Sequence, residues 1–141
     1  MREIAIDCEG LDWKPLLSDW RWLVPADHVP MLLGAFGDWI IAGPDGTVWN
    51  LDLLEGRYER IAADASQFHE AAAEEANMNR WLTADWATMA FERGLFPERD
   101  ECLGWKIHPI LGGPFSIENI EVFRLTVYQS LMAQMHRQIV R

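Results

Sequence analysis

Lysine is almost missing from this 141-residue chain: only Lys14 and Lys106 supply it, and the other basic side chains are arginines. With 22 acidic residues against 12 basic ones, the formal net charge is −10. Such a surface repels phosphate and argues against nucleic acid as a ligand. It would draw in a basic protein instead, although charge of this sign also serves plain solubility. Cysteine is scarce too. Cys8 and Cys102 stand far apart without CxxC spacing, so free thiols are expected. No apolar run approaches the ~20 residues of a membrane helix. Met1 to Asp7 lacks the apolar core and cleavage signature of a signal peptide. The expectation is a cytoplasmic protein without a membrane anchor.

Motifs that carry chemistry are missing in the same way. His28, His69, His108 and His136 are scattered without HxH, HExxH or Cys/His spacing, so no metal site is expected. Ser18, Ser66, Ser116 and Ser130 lie outside any G-x-S-x-G elbow, and neither cysteine has a neighbouring histidine. Gly112-Gly113 lacks the lysine and the following helix of a phosphate loop; its freedom to adopt positive φ predicts a reversal or bulge. A pair of carboxylates meeting by chance among 22 is no catalytic signature. Neither catalysis nor a cofactor is expected.

What is present is half hydrophobic and holds eight tryptophans, enough for one domain over residues 1–141. Trp13, Leu16, Leu17, Trp20 and Leu23 recur every three or four residues, predicting a helix over Leu11–Leu23 with Pro15 in its first turn. A short helix is predicted from His28 to Phe36. Asp38–Ala42 and Thr47–Leu51 read as strands around the turn Gly43-Pro44-Asp45-Gly46, and Tyr58–Ala62 as a third strand after Gly56. Asp64 or Ser66 caps a helix favoured by the alanines at 71–76; Thr83 caps another, ended by Gly94. Cys102–Leu111 and Ile120–Arg124 read as strands. Thr126 with Gln129 forms a capping-box pattern, and Val127, Leu131, Met135 and Ile139 mark the buried stripe of a C-terminal amphipathic helix. The sum is α+β: a mostly antiparallel sheet of about five strands flanked by helices.

The last third carries a distinctive order of motifs. Glu101-Cys102-x-Gly104-x-Lys106 precedes Pro109-x-Leu111-Gly112-Gly113, then Glu118-Asn119, then a helix with Gln134-x-His136-Arg137-Gln138. This order resembles the C-terminal domain of type VI secretion immunity proteins that neutralise DNase effectors. Trp20-Arg21-Trp22-Leu23, Gly37-Asp38-Trp39-Ile40 and Asp45-Gly46-Thr47-Val48-Trp49 extend the resemblance upstream. It implies a SUKH-like architecture and a non-catalytic immunity protein whose partner is a cognate toxin, a basic nuclease. It also implies mainly structural roles for Gly37, Asp38, Lys106, Leu111, Gly112, Gly113 and Asn119.

Two acidic sets are candidates for the partner-binding face. Glu70, Glu74 and Glu75 follow Asp64 as a negative stripe, and Asp38, Asp45 and Asp52 lie near the hairpin. Trp13, Trp20, Trp86 and Trp105 are expected in the core. Of Trp22, Trp39 and Trp49, one exposed ring at an interface is expected. Two other functions stay open: a housekeeping interaction module, and a small enzyme or ligand-binding protein whose pocket converges on Glu118, His108 and Asp38.

Overall fold

Five strands follow one another as an antiparallel meander in the computed structural model, which describes residues 3–140. They are β1 (Ala5–Asp7), β2 (Val29–Gly34), β3 (Trp39–Ala42), β4 (Val48–Asp52) and β5 (Arg57–Ala62), adjacent in that order. The turns after β2, β3 and β4 each contain a glycine at positive φ: Gly37, Gly46 and Gly56. A second ladder pairs β6 (Glu101–Trp105) with β7 (Ile120–Arg124). It is tied to the first sheet by the Leu103 N–H, which donates to the Ala35 carbonyl at 2.7 Å. The helices are α1 (Lys14–Leu17), α2 (Ala65–Ala72), α3 (Glu75–Leu82), α4 (Ala84–Glu92) and α5 (Leu125–Val140).

The period-two alternation of the strands sorts their side chains onto two faces. Trp39, Ile41 and Leu51 pack with Leu17 and Trp20 near α1 and with Leu125, Tyr128 and Met132 of α5. Ile40, Val48 and Ala62 meet Phe68 of α2 and Trp81 and Leu82 of α3 on the opposite face. With both faces covered, β3 reads as the continuous apolar run Trp-Ile-Ile. A third cluster sets Ala87 and Ala90 of α4 against Leu103, Trp105 and Ile120 of the small ladder. Burying a large apolar side chain such as Trp20 or Trp39, both fully inaccessible, contributes about 2–3 kcal/mol.

The α+β class with an antiparallel five-stranded sheet is as expected, but its membership differs. The helix expected over His28–Phe36 is β2, held between β1 and β3. Pro30, which has no N–H for a ladder, sits at a bulge where the register shifts between Pro30 and Leu32. The strand expected over Cys102–Leu111 stops at Trp105, and Pro109–Leu111 form a 3₁₀ turn. The first predicted helix is shorter, with Pro15 in its first turn as expected and a 3₁₀ turn over Ser18–Trp20. Asp64 caps α2 through its side chain, accepting the Gln67 N–H at 2.8 Å.

Helix α5 corrects two expectations. Of the expected stripe, Met135 packs against the core, but Val127, Leu131 and Ile139 are about half exposed, while Leu125, Tyr128, Gln129, Met132, Ala133 and His136 face the core. Three of those six carry polar atoms with internal partners, so a hydropathy pattern selects the wrong stripe. The capping box is absent because Gln129 is spent inside. Its Oε1 accepts the indole N–H groups of Trp20 (2.9 Å) and Trp39 (3.1 Å), and its Nε2 donates to the Gly37 carbonyl (2.8 Å). Among the described residues, no helix is long and apolar enough to cross a membrane.

Candidate functional site

Trp105 at the end of β6 is the floor of a groove in the surface. Its ring meets Trp86 edge-on at 5.4 Å and Phe115 edge-on at 5.5 Å. These three aromatics line this groove of about 330 Å³. One wall is the β4–β5 hairpin with Asp52, Glu55, Arg57 and Glu59; the other is the α3–α4 junction with Arg80 and Asp85. Four carboxylates thus face two guanidinium groups. Arg57 is already engaged by Glu55 (3.4 Å) and Glu59 (3.2 Å), all three exposed. Arg80 donates to Asn77 Oδ1 at 2.8 Å and lies over the Trp81 ring. The rim is acidic, with the exposed carboxylates of Glu55, Glu59 and Asp85 at its edge.

Beside the groove runs a loop of unusual composition. From Ile107 to Ile117 there is no Asp, Glu, Lys or Arg, in a chain in which 24% of residues are charged. Ile107, Ile110, Leu111 and Phe115 are 56%, 44%, 63% and 58% exposed. The backbone beneath them is tightly held. Asn119 Nδ2 donates to the carbonyls of Ile107 (2.8 Å) and Pro114 (3.0 Å), and its Oδ1 accepts the Ile107 N–H (3.0 Å). The Lys106 N–H donates to the Asn119 carbonyl at 2.7 Å. His108 is a second fastener. Its Nδ1 accepts the Ile110 N–H at 3.2 Å, so Nε2 carries the proton and points at the Leu53 carbonyl, 3.3 Å away. Burial lowers its pKa to about 4, with the neighbouring His136 adding to the effect and the Leu53 carbonyl opposing it.

Of the sequence candidates, Asp38 and Trp39 lie in the interior rather than on a binding face. Asp38 is 2% exposed; its Oδ1 accepts the Leu53 N–H and its Oδ2 the Thr83 hydroxyl, both at 2.8 Å. Burial pushes its carboxyl well above the usual carboxylate range, and the charge of Asp52 adds to that rise against the two donors. It is a strut joining two hairpin turns to the α3–α4 junction. Thr83, expected as a side-chain cap of α4, adopts φ +55° and uses its hydroxyl on Asp38 instead. Trp39 is spent on Gln129.

The remaining candidates are dispersed. Asp52 is half-buried in the groove wall, its Oδ1 accepting the N–H groups of Leu54 and Glu55, and burial raises its pKa. Asp45 lies at the other end of β4, where it accepts the Thr47 hydroxyl and N–H; those bonds lower its pKa. Glu70 is on α2, and a break in the helix moves Glu74 and Glu75 to the start of α3, where carboxylates suit the helix dipole. All three are exposed. Trp49 is half-buried and stacks on Tyr58 at 5.1 Å; Trp22, also half-buried, stacks on Trp20 at 6.2 Å. Gly37 and Gly113 sit where a side chain would disturb the backbone and Asn119 clamps the Ile107 backbone, while Leu111 is, among the described residues, the most exposed of the large apolar side chains. Lys106 contributes its backbone and leaves its side chain in solvent.

Sequence reasoning overlooked Glu55, Glu59, Asp85, Ile107, Ile110 and Phe115 as groove and loop residues; Trp105 and Trp86 do pack in the core as expected, and the groove opens over their edges. The charge-free run around Pro109 and Pro114 was the available signal, because two prolines and two glycines keep such a segment out of a strand. Asp38 and His108 do border one common cavity, but it is about 10 Å³, room for at most one water. Glu118 lies at the surface, paired with Arg93 at 2.9 Å.

A family model described as T6SS immunity protein Tdi1, C-terminal, matches residues 62–136, the stretch from the end of β5 through the loop to most of α5. The crystal structure of Atu4351 from Agrobacterium tumefaciens has the same fold, with a TM-score of 0.65 at 18% identity over 93% of this chain. The chain spans 66% of that protein, just under two thirds of its length. No curated protein matches the chain.

Proposed function

The chain belongs to the family of T6SS immunity proteins typified by the Tdi1 C-terminal domain, and from that premise we propose that it binds a cognate toxin and neutralises it without catalysis. The observation that carries this reading is the family match over residues 62–136, which includes Asp85, Trp86, Trp105 and Phe115 of the groove. The toxin we propose is a DNase. A nuclease presents a cationic cleft to the DNA backbone, and the exposed carboxylates of Glu55, Glu59 and Asp85 offer such a cleft a negative counterpart. The net charge of −10 adds long-range attraction. The aromatic floor supplies rings of the kind enriched at binding hot spots. The binding occurs in the cytoplasm, and no nucleic acid takes part in it.

The test is a plasmid-cleavage assay with the toxin encoded beside this chain's gene. Cleavage is expected to cease at a stoichiometric ratio of the two proteins. A Glu55→Lys/Glu59→Lys/Asp85→Lys variant is expected to associate at least about 10-fold more slowly at low salt, with the difference shrinking as salt is added. Undiminished cleavage in the presence of excess wild-type chain would sink the reading.

A further inference from the structure

We propose that the charge-free loop Ile107–Ile117 is a preformed apolar anchor, which seats Ile110, Leu111 and Phe115 in an apolar recess of the cognate toxin. The inference rests on the immunity reading above and adds to it the part of the surface that holds the complex together.

Three observations carry it. First, the exposure is enforced by the fold. A loop free to relax would fold its aliphatic side chains inward, since each is worth about 1.5–3 kcal/mol when buried. Here Asn119, His108 and the Lys106 N–H fix the backbone in a shape that holds four large apolar groups in water. Gly113 closes the same fastening: a Cβ built there would overlap the Ile107 carbonyl. Binding to such a loop costs little ordering entropy, which is the benefit of preorganisation.

Second, the composition is that of an interface centre. Charged residues are depleted at the dry core of protein interfaces and concentrated at the rim. The loop has none between Ile107 and Ile117, and the groove that adjoins it through Phe115 carries Glu55, Glu59 and Asp85. Third, charge selects the occupant. A second copy of this chain would bring another net charge of −10 against those carboxylates, whereas a partner whose recess is rimmed by Lys and Arg would satisfy them.

The experiment measures binding of the full-length chain to the toxin encoded beside its gene, by interferometry at low salt and at about 0.5 M NaCl, where screening leaves only contacts within a few Å. The Ile110→Ser/Leu111→Ser variant is expected to bind at least about 100-fold more weakly, through faster dissociation, and to keep that defect at high salt. Its thermal midpoint is expected to stay close to that of the wild type, because Leu111 and Ile110 are already 63% and 44% exposed. Phe115→Ser supplies an independent variant should the double one fold poorly. Wild-type affinity in these variants would overturn the anchor while leaving the immunity reading intact. Failure of the wild-type chain to bind the toxin would overturn both. A wild-type dimer in light scattering that the double variant converts to monomer would reassign the loop to self-association.

Discussion

Asn119 holds the backbone of Ile107 from both sides, donating from Nδ2 to its carbonyl at 2.8 Å and accepting its N–H at Oδ1 at 3.0 Å. The pairing mimics a strand ladder where no strand is present. It extends the register of β6 and β7 beyond Trp105–Ile120. A short side chain thereby does for Ile107 what a further ladder residue would do, and it leaves the Ile107 side chain outside.

Replacing this amide is the most direct way to loosen the loop. Asn119→Ala removes three hydrogen bonds of a side chain that is 6% exposed. The expected loss of stability is about 2–4 kcal/mol, read from urea denaturation. The Ile107 amide should also exchange faster with deuterium. An unchanged midpoint together with unchanged exchange would show that the clamp is not what holds the loop.

The two glycines of the loop make opposite demands and should respond differently to alanine. Gly112 has φ +96°, with no atom within 4 Å of the place a Cβ would occupy, so its requirement is conformational. Gly112→Ala is expected to cost about 1 kcal/mol. Gly113 has an ordinary φ but no room, because a Cβ there would collide with the Ile107 carbonyl oxygen. Gly113→Ala must push the loop off β6, and a cost of about 3 kcal/mol or more is expected. Equal costs in the two variants would contradict the distinction.

Such contrasts explain why part of the molecule was readable from residues alone. The β3–β4 hairpin was legible because Gly43-Pro44-Asp45-Gly46 specifies a turn locally and strand composition flanks it. β2 was not, because Met31, Leu32 and Leu33 suit a helix equally well and only pairing with β1 and β3 decides. The face of α5 was misread for a related reason: Gln129 and His136 are polar by type but are 1% exposed once Trp20, Trp39 and the Leu53 carbonyl supply partners. The candidate site assembles from β4, β5, α3, α4, β6 and the loop, so no single window of sequence contains it. Acidic residues could be counted in advance, but whether each faced water, as Glu59 does, or a buried donor, as Asp38 does, depended on the packing.

Gln129 offers a test of the interior. Gln129→Met keeps the volume but leaves the indole N–H groups of Trp20 and Trp39 and the Gly37 carbonyl without their partner. The expected destabilisation is about 2–5 kcal/mol, measured by chemical denaturation. Tryptophan fluorescence should report a changed environment for these two rings. A loss below about 1 kcal/mol would mean that the network is dispensable.

Asp38 should make the protein less stable as the medium becomes more alkaline. Its carboxyl is raised above the unfolded value of 3.8, chiefly by burial. Above that value the folded chain holds a proton that the unfolded chain has released, so folding stability falls as pH rises toward the folded pKa. An asparagine at this position does not titrate, and its amide oxygen can still accept from the Leu53 N–H. The Asp38→Asn variant is therefore expected to gain stability relative to wild type as pH increases through that window. A stability difference that does not vary with pH would show that the carboxyl titrates normally.

His108 acts in the opposite direction and couples acidity to the loop. Its pKa is lowered from 6.5 to about 4, so between these values the unfolded chain binds a proton that the folded chain refuses. Stability is present above pH 6.5 and is lost as pH falls toward 4, to a total of about 3 kcal/mol. Protonation at Nδ1 also removes the acceptor for the Ile110 N–H, which opens the fastening under the exposed Ile110 and Leu111. His108→Asn separates the two effects. The Asn oxygen can cap the Ile110 N–H as imidazole does, yet it does not titrate in this range. The variant is expected to lose less stability than wild type between pH 6.5 and 4, and urea midpoints collected across that window would measure the difference. Parallel profiles for the two proteins would place the acid sensitivity elsewhere in the fold.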